Sequence, residues 1–343
     1  MLALFYNLTI DTATDFLFGE SVGAQAAAIR KADPSRAADE KHSGELSQQA
    51  SSDQFAKNLE ILGAGLQRRI QLQALYWLGD GPQWRRAIRD THLFVEHYVQ
   101  KAITAKDMPQ KSKKDYLLSA LATQTQDRAE LRNQTLAILF AGRDTTAALL
   151  SWCVVRLTLH ASVLADLRQA IVADFGATDN EPISFAQLKA CRPLQHFINE
   201  VQRLNPIVPF NAREAVRDTT LPVGGGEDRK SPVALRKGTR VLYSMHNLHR
   251  RRDLWGDDAL DFNPSRWERK MKVSWQYLPF SGGPRICIGQ QFAIVETSYV
   301  LVRLLQRYQA VEAVDKASMA KMRKGLGLAV WPVDGAKVRW LRA

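Results

Sequence analysis

Three cysteines in 343 residues, Cys153, Cys191 and Cys287, are too few and too far apart for a disulfide framework or a zinc site, and they point to a reducing compartment. The start, Met1-Leu2-Ala3-Leu4, lacks the basic residues of a secretory leader and meets Asp11 and Asp15 early. Neither a signal peptide nor a membrane anchor is expected from it. Long charge-free apolar runs are missing too: the most apolar stretch, Leu131 to His160, carries Arg143 and Asp144 at its middle, which argues against a bilayer span. The net charge of +12 comes without zinc-finger spacing, an RNP motif or a dense basic run interleaved with aromatics, so no nucleic-acid partner is expected. The basic balance leaves an anionic membrane surface or an acidic protein as partner. No internal repeat or linker divides the chain, and residues 1–343 read as a single domain.

A 45% hydrophobic and 24% charged composition is enough to bury a sizeable core. Apolar residues recur at helical spacing over Leu2 to Phe18, Phe55 to Trp77 and Trp84 to Thr104. The last two are separated by Gly79-Asp80-Gly81-Pro82 and predict a helical hairpin. A polar stretch, Arg30 to Asp53, predicts a surface loop. A long helix is expected over Leu131 to His160, shorter ones over Ser162 to Phe175 and Phe185 to Leu204, and another from Gly289 to Tyr308. Between them, Gly224-Gly225-Gly226 and Lys237-Gly238 punctuate strand-like runs that predict a small sheet. The fold class is mainly α with a small β-sheet portion.

Chemistry concentrates in Phe280-Ser281-Gly282-Gly283-Pro284-Arg285-Ile286-Cys287-Ile288-Gly289, a glycine-rich loop that delivers one cysteine to the start of a helix. A thiolate there is stabilised by unpaired N–H groups and the positive dipole end, and glycines allow close approach of a flat cofactor. A lone buried cysteine is usually just a small apolar side chain, and Cys153 and Cys191 are read so. In the long helix, Ala141-Gly142-Arg143-Asp144-Thr145-Thr146 combines a side-chain-free position with an acid and an alcohol. Thr145 can divert a helix hydrogen bond and open a groove, and Asp144 can relay protons. Glu200 and Arg203 stand at i and i+3, where an ion pair can form.

Phe280, Gly283, Arg285, Cys287 and Gly289 together resemble the haem loop of the cytochrome P450 family. The segment around Asp144 and Thr145 is similar to the family's oxygen-activating helix, and Glu200-Val201-Gln202-Arg203 to its glutamate-x-x-arginine motif. Phe262, Pro264, Arg266 and Trp267 match the later segment that completes the motif's triad, with Ser265 in place of a common glutamate. The resemblance implies a P450 fold lacking its N-terminal part. It implies haem b (iron protoporphyrin IX) bound by Phe280, Arg285, Cys287 and Gly289 with Arg213 on a propionate, Cys287 as the metal ligand, and Asp144 and Thr145 as catalytic residues. The triad Glu200, Arg203 and Arg266 is structural in this family.

Gly142 to Thr146, Tyr243 to His246 and Gly289 to Ala293 look similar to fungal alkane and fatty-acid hydroxylases. This implies a monooxygenase that inserts one atom of O2 into a small hydrophobic substrate, a long-chain alkane or fatty acid. Electrons come from NADPH through NADPH-cytochrome P450 reductase, which a basic surface steers. For the full-length family the location is the cytosolic face of the endoplasmic reticulum membrane, with peripheral membrane contact for a chain without an anchor. The alternatives are a haem-thiolate isomerase or dehydratase, against which the acid and alcohol argue, and a non-catalytic fragment.

Overall fold

The computed structural model describes residues 1–32, 46–105, 116–269 and 274–342. Ten helices organise its core: α1 (Leu2–Phe18), α2 (Ala24–Ala32), α3 (Leu46–Leu72), α4 (Pro82–Ala105), α5 (Leu117–Gln124), α6 (Arg128–Leu159), α7 (Ala161–Phe175), α8 (Phe185–Ala190), α9 (Arg192–Leu204) and, further along the chain, a helix over Gln290–Arg307. The strands β1 (Phe210–Glu214), β2 (Thr219–Gly225), β3 (Ser231–Leu235) and β4 (Arg240–Ser244) lead into the one-turn helices α10 (Met245–Leu248) and α11 (Arg252–Trp255). The Gln290–Arg307 helix is α12 and is followed by β5 (Tyr308–Ala313), α13 (Lys316–Ala320), β6 (Lys324–Leu326), β7 (Val330–Pro332) and β8 (Val338–Arg342).

α6 is the axis of the molecule. The Asp127 carboxylate accepts from the Ala129 and Glu130 N–H groups and starts the helix three residues before the apolar pattern does. Its first half closes one core with Ile10 and Leu17 of α1, Leu59 of α3, Val95 and Val99 of α4 and Leu118 of α5. Its second half closes another with Leu167 of α7, Phe197 and Val201 of α9, and Leu301 and Leu305 of α12. By length and composition α6 could cross a membrane, but 67% of its most apolar window is buried among these partners, as for a core helix.

Three expectations are corrected. Within Arg30 to Asp53, residues 30–32 end α2 and residues 46–53 begin α3, so helical propagation from the apolar face of α3 overrides the local polarity. Residues 33–45 of that expected loop lie outside the described residues. Phe185 to Leu204 is two helices broken at Cys191, because Pro193 in the first turn of α9 cannot donate back into α8. The small sheet is four separate antiparallel pairs, β1 with β4, β2 with β3, β5 with β8 and β6 with β7, each closed by its own hairpin or crossover. The expected hairpin is present: α3 passes through a 3-10 turn, Gln73–Gly79, into α4, which packs back on it.

Candidate active site

Cys287 is held by a stack of tight turns. The Ser281 N–H donates to Leu278 O at 3.2 Å, the Ile286 N–H to Gly283 O at 3.1 Å, and the Cys287 N–H to Phe280 O at 2.9 Å. A Cβ on Gly282 would stand 2.8 Å from the edge of the exposed Trp275 ring, so a side chain there would displace that ring. Gly283 turns the chain with φ +71°, a conformation costly for other residues. The thiol emerges exposed, between Ile286 and the fully exposed Ile288, and α12 begins three residues later.

Behind this loop lies a buried charged cluster. Glu200, Arg203 and Arg266 have no solvent-exposed side-chain surface. Arg203 donates through Nε and Nη2 to the two Glu200 oxygens at 2.9 and 2.8 Å, a bidentate pair along one face of α9. Arg266 Nε reaches Glu200 Oε1 at 3.1 Å, and the Trp267 indole and Asn263 N–H groups donate to the same carboxylate at 3.0 and 2.9 Å. The remaining guanidinium donors go to carbonyls: Arg203 to His249, Ala259 and Asp261, Arg266 to Trp255 and Asp258. Arg266 also pairs with the Asp258 carboxylate, which is held below its usual range. Ser265, the departure from the family pattern, hydrogen-bonds only to Asn263 and leaves the cluster intact. The sequence matches Trp267 only as part of the segment carrying Arg266, and it does not single out the Asn263 amide, Asp258 or His249. Their roles come from loops that only folding brings to Glu200.

Arg213, on β1, extends its guanidinium to Ser281 Oγ at 3.3 Å, the residue next to Phe280, and Tyr243 on β4 reaches the same hydroxyl at 3.2 Å. This places one exposed cation beside the cysteine loop. Arg285 is exposed within the loop and has no hydrogen-bond or ion-pair partner among the described residues.

Asp144 and Thr145 lie on the other side, in mid-α6. Thr145 Oγ1 donates to Ala141 O at 2.7 Å, the helix-diverting bond expected of it, while a Cβ on Gly142 meets nothing within 4 Å. Asp144 pairs with Arg143 at 3.0 Å, and Arg143 in turn stacks over Tyr6 of α1 at 4.8 Å. Burial raises the Asp144 carboxyl above its usual range, and the adjacent Arg143 charge opposes this. No hydrogen bond or ion pair joins Asp144 or Thr145 to the cysteine loop among the described residues; α12, leading out of that loop, packs on α6. A residue absent from the sequence reading, Glu296 of α12, lies near this seam, accepts from the Thr12 hydroxyl of α1, and is pushed up by burial to about 7.

The donor set suits a haem held by one thiolate. Cys287 is the one exposed cysteine, and among the described residues no group of three or more His, Cys, Asp or Glu could hold a metal ion, so the soft sulfur donor is the available ligand. A Cβ on Gly289 would stand 3.9 Å from the Cys287 sulfur, in ordinary van der Waals contact, so the glycine leaves the surface beside the thiol open. Two exposed arginines, Arg213 and Arg285, suit the carboxylates of a haem.

The family model described as Cytochrome P450 matches residues 2–338. Cytochrome P450 monooxygenase alt2 of Alternaria solani is 45% identical over 317 residues, covering 90% of this chain and 57% of that protein. Cytochrome P450 52E1 of Candida apicola is 39% identical over 349 residues, 99% of this chain and 65% of its own length. Cytochrome P450 52A1 of Candida tropicalis is 43% identical over 311 residues, 89% of this chain and 55% of its own. The chain therefore spans somewhat more than half the length of the relatives it matches. From α1 to the last strand, with an exposed cysteine backed by a buried glutamate and two arginines, the chain belongs to the cytochrome P450 family.

Proposed function

We propose that the protein is a haem-thiolate monooxygenase acting on a long-chain alkane or fatty acid, and that residues 1–343 form part of a single P450 domain. The observation that carries the reading is the exposed Cys287 thiol, held in a turn stack against a fully paired charged cluster. Cys287 is the proposed ligand of haem b, with Phe280, Arg285, Gly289 and Arg213 completing its binding residues. When bound, the haem supplies O2 activation, for which in P450s as a class the thiolate provides electron density that favours O–O cleavage. Thr145, its hydroxyl turned to Ala141 O, keeps a groove in α6 open, and Asp144 beside it carries the proton, its affinity raised by burial. The substrate class rests on the likeness of Gly142–Thr146, Tyr243–His246 and Gly289–Ala293 to fungal alkane and fatty-acid hydroxylases.

Electrons are proposed to come from NADPH through cytochrome P450 reductase, whose acidic face the net charge of +12 attracts. Attachment to the cytosolic face of the endoplasmic reticulum is supported by the 3-10 turn after α3. Leu75, Tyr76, Trp77 and Leu78 are exposed in succession, 46 to 59%, with exposed Arg85, Arg86 and Arg89 nearby in the chain on α4. Such a turn inserts its apolar tips at the acyl boundary while arginines meet anionic headgroups.

The test is the carbon-monoxide spectrum of the reduced, haem-supplied chain beside Cys287→Ala. A strongly red-shifted Soret band in the parent alone is expected, followed by oxidation of alkanes or fatty acids with reductase and NADPH. A colourless parent would favour the non-catalytic alternative, and a thiolate band with turnover of peroxides but not of alkanes with O2 would favour the isomerase.

A further inference from the structure

We propose that His249 is a positioning residue for Cys287, joining the charged cluster to the cysteine loop through both its backbone and its ring. The inference rests on the haem-thiolate reading above. His249 is completely buried. Its carbonyl accepts from Arg203 Nη1 at 2.8 Å, and its ring Nε2 accepts from the Leu278 N–H at 2.9 Å. Leu278 O then takes the Ser281 N–H at 3.2 Å, and Phe280 O takes the Cys287 N–H at 2.9 Å. The route from Glu200 to the thiol thus runs through the Arg203 guanidinium, His249, Leu278 and the Phe280–Ser281 peptide to Cys287, with the imidazole bridging 29 residues of sequence from the cluster to the loop.

The ring chemistry is specific. A backbone N–H can be accepted only by an unprotonated nitrogen, so the proton of the neutral imidazole sits on Nδ1. Among the described residues that Nδ1 makes no well-formed hydrogen bond, although the backbone carbonyls of Arg203 and Gln202 stand close enough to the ring to favour its proton. A buried polar atom without a well-formed hydrogen bond is a cost, and here it accompanies the one bond the ring makes to the loop. Burial above all, helped by the charges of Arg203 on α9 and Arg250 beside it in sequence, holds its pKa down to about 4 against the opposing pull of the Arg203 and Gln202 backbone carbonyls. Trp255 and Tyr277 flank it at 6.4 and 5.2 Å between ring centres and fix its plane. Without His249 the cluster remains, but the Leu278 amide loses its acceptor and the turns that aim Cys287 lose their fixed end.

The experiment uses the full, haem-supplied chain as parent, His249→Gln, His249→Phe and a remote core variant, Leu164→Ala. Amide exchange at Leu278 to Cys287 is read beside the reduced carbon-monoxide spectrum. Glutamine can place an oxygen near the Nε2 position, so near-parental exchange and an intact thiolate band are expected. In His249→Phe, Leu278 exchange is expected to rise about tenfold, the loss of one hydrogen bond, and the Soret band to move toward the shorter-wavelength form without thiolate. Leu164→Ala, which destabilises without touching the loop, should leave both local signals unchanged. Equal Leu278 protection in Phe and parent overturns the proposal, as does a Leu164→Ala spectrum matching that of Phe. Should His249→Phe not fold, the ring-nitrogen resonances of the parent in its diamagnetic reduced carbon-monoxide form decide: Nδ1 protonated with Nε2 coupled to the Leu278 amide supports it, Nε2 protonated overturns it. A parent without a thiolate band defeats the haem-thiolate reading instead, and leaves the Leu278 exchange comparison still readable.

Discussion

Two buried polar regions of this chain are built in opposite ways. Around Glu200, charge is fully matched: its carboxylate takes five hydrogen bonds, the Asp258 carboxylate takes up the second arginine's charge, and the two arginines spend their other donors on fixed backbone carbonyls. At the seam of α1, α6 and α12, matching is incomplete. Among the described residues Asp144 has a single hydrogen-bonded charged partner, on its own helix, Arg143 leaves its Nε unpartnered, and the half-buried Glu296 accepts from Thr12 and is pushed up by burial to about 7. Complete pairing makes a rigid support, whereas incomplete pairing leaves groups whose protonation can still change. The support stands behind the cysteine, and the titratable groups stand on α6 and on α12 packed against it, beside the residues proposed above for oxygen chemistry.

The strongest way to break this contrast is to unpair the support. Glu200→Gln or Arg203→Leu should cost roughly 3–5 kcal/mol, as expected when one partner of a buried pair is removed, measured by guanidinium unfolding. The double variant Glu200→Leu with Arg203→Leu should not recover that loss, because the carbonyls of His249, Ala259 and Asp261 lose their donor. Full recovery would show that the cluster contributes no more than an apolar core.

The next effect is pH-dependent and differs in sign between the regions. Glu296 is raised from 4.5 to about 7, so between those values the unfolded chain has lost a proton that the folded chain keeps. Its contribution to stability therefore falls as pH rises through this window, by no more than about 3 kcal/mol, and solvent in the adjoining cavity reduces it further. Thermal unfolding of Glu296→Gln across this range should lack that slope. His249 is lowered from 6.5 to about 4, so its contribution is lost as pH falls from 6.5 toward 4, again by about 3 kcal/mol at most. His249→Gln should flatten this part of the acid limb in the same measurement, and an unchanged limb would show that the ring does not remain neutral.

The smallest change in stability belongs to the middle of α6. Asp144→Asn and Thr145→Ala should each shift unfolding by less than about 1 kcal/mol, since Asp144 is partly solvated and Thr145 bonds only within its helix. Turnover with reductase should nevertheless drop by roughly 10²–10⁴-fold for Asp144→Asn, the range for loss of a proton-transfer group. A stability loss as large as that of the Glu200 variants, with turnover retained, would erase the distinction between the regions.

Much of this arrangement is legible in the chain. The helical spacing of Leu2 to Phe18 and the apolar run of α6 place these elements to within a few residues, because a buried helix face leaves a periodic trace. The cysteine loop is legible because its glycines and proline specify turns locally. Other features leave no such trace. The polar residues 46–53 are helical because α3 extends through them, and the strands form separate pairs because no continuous alternation ties them together.

The sequence alone marked the cysteine loop, Asp144 with Thr145 and Glu200 with Arg203 as candidates and placed most of the helices, since both depend on residue type and on neighbours three or four positions away. Tertiary structure alone decided that His249 meets Leu278, that Trp267 and Asn263 complete the shell of Glu200, and that Glu296 is half-buried beside Thr12. These contacts join positions 29, 67, 63 and 284 residues apart. Burial and hydrogen-bond geometry, which set whether a polar group is neutral, charged or orphaned, exist only once the chain has closed on itself.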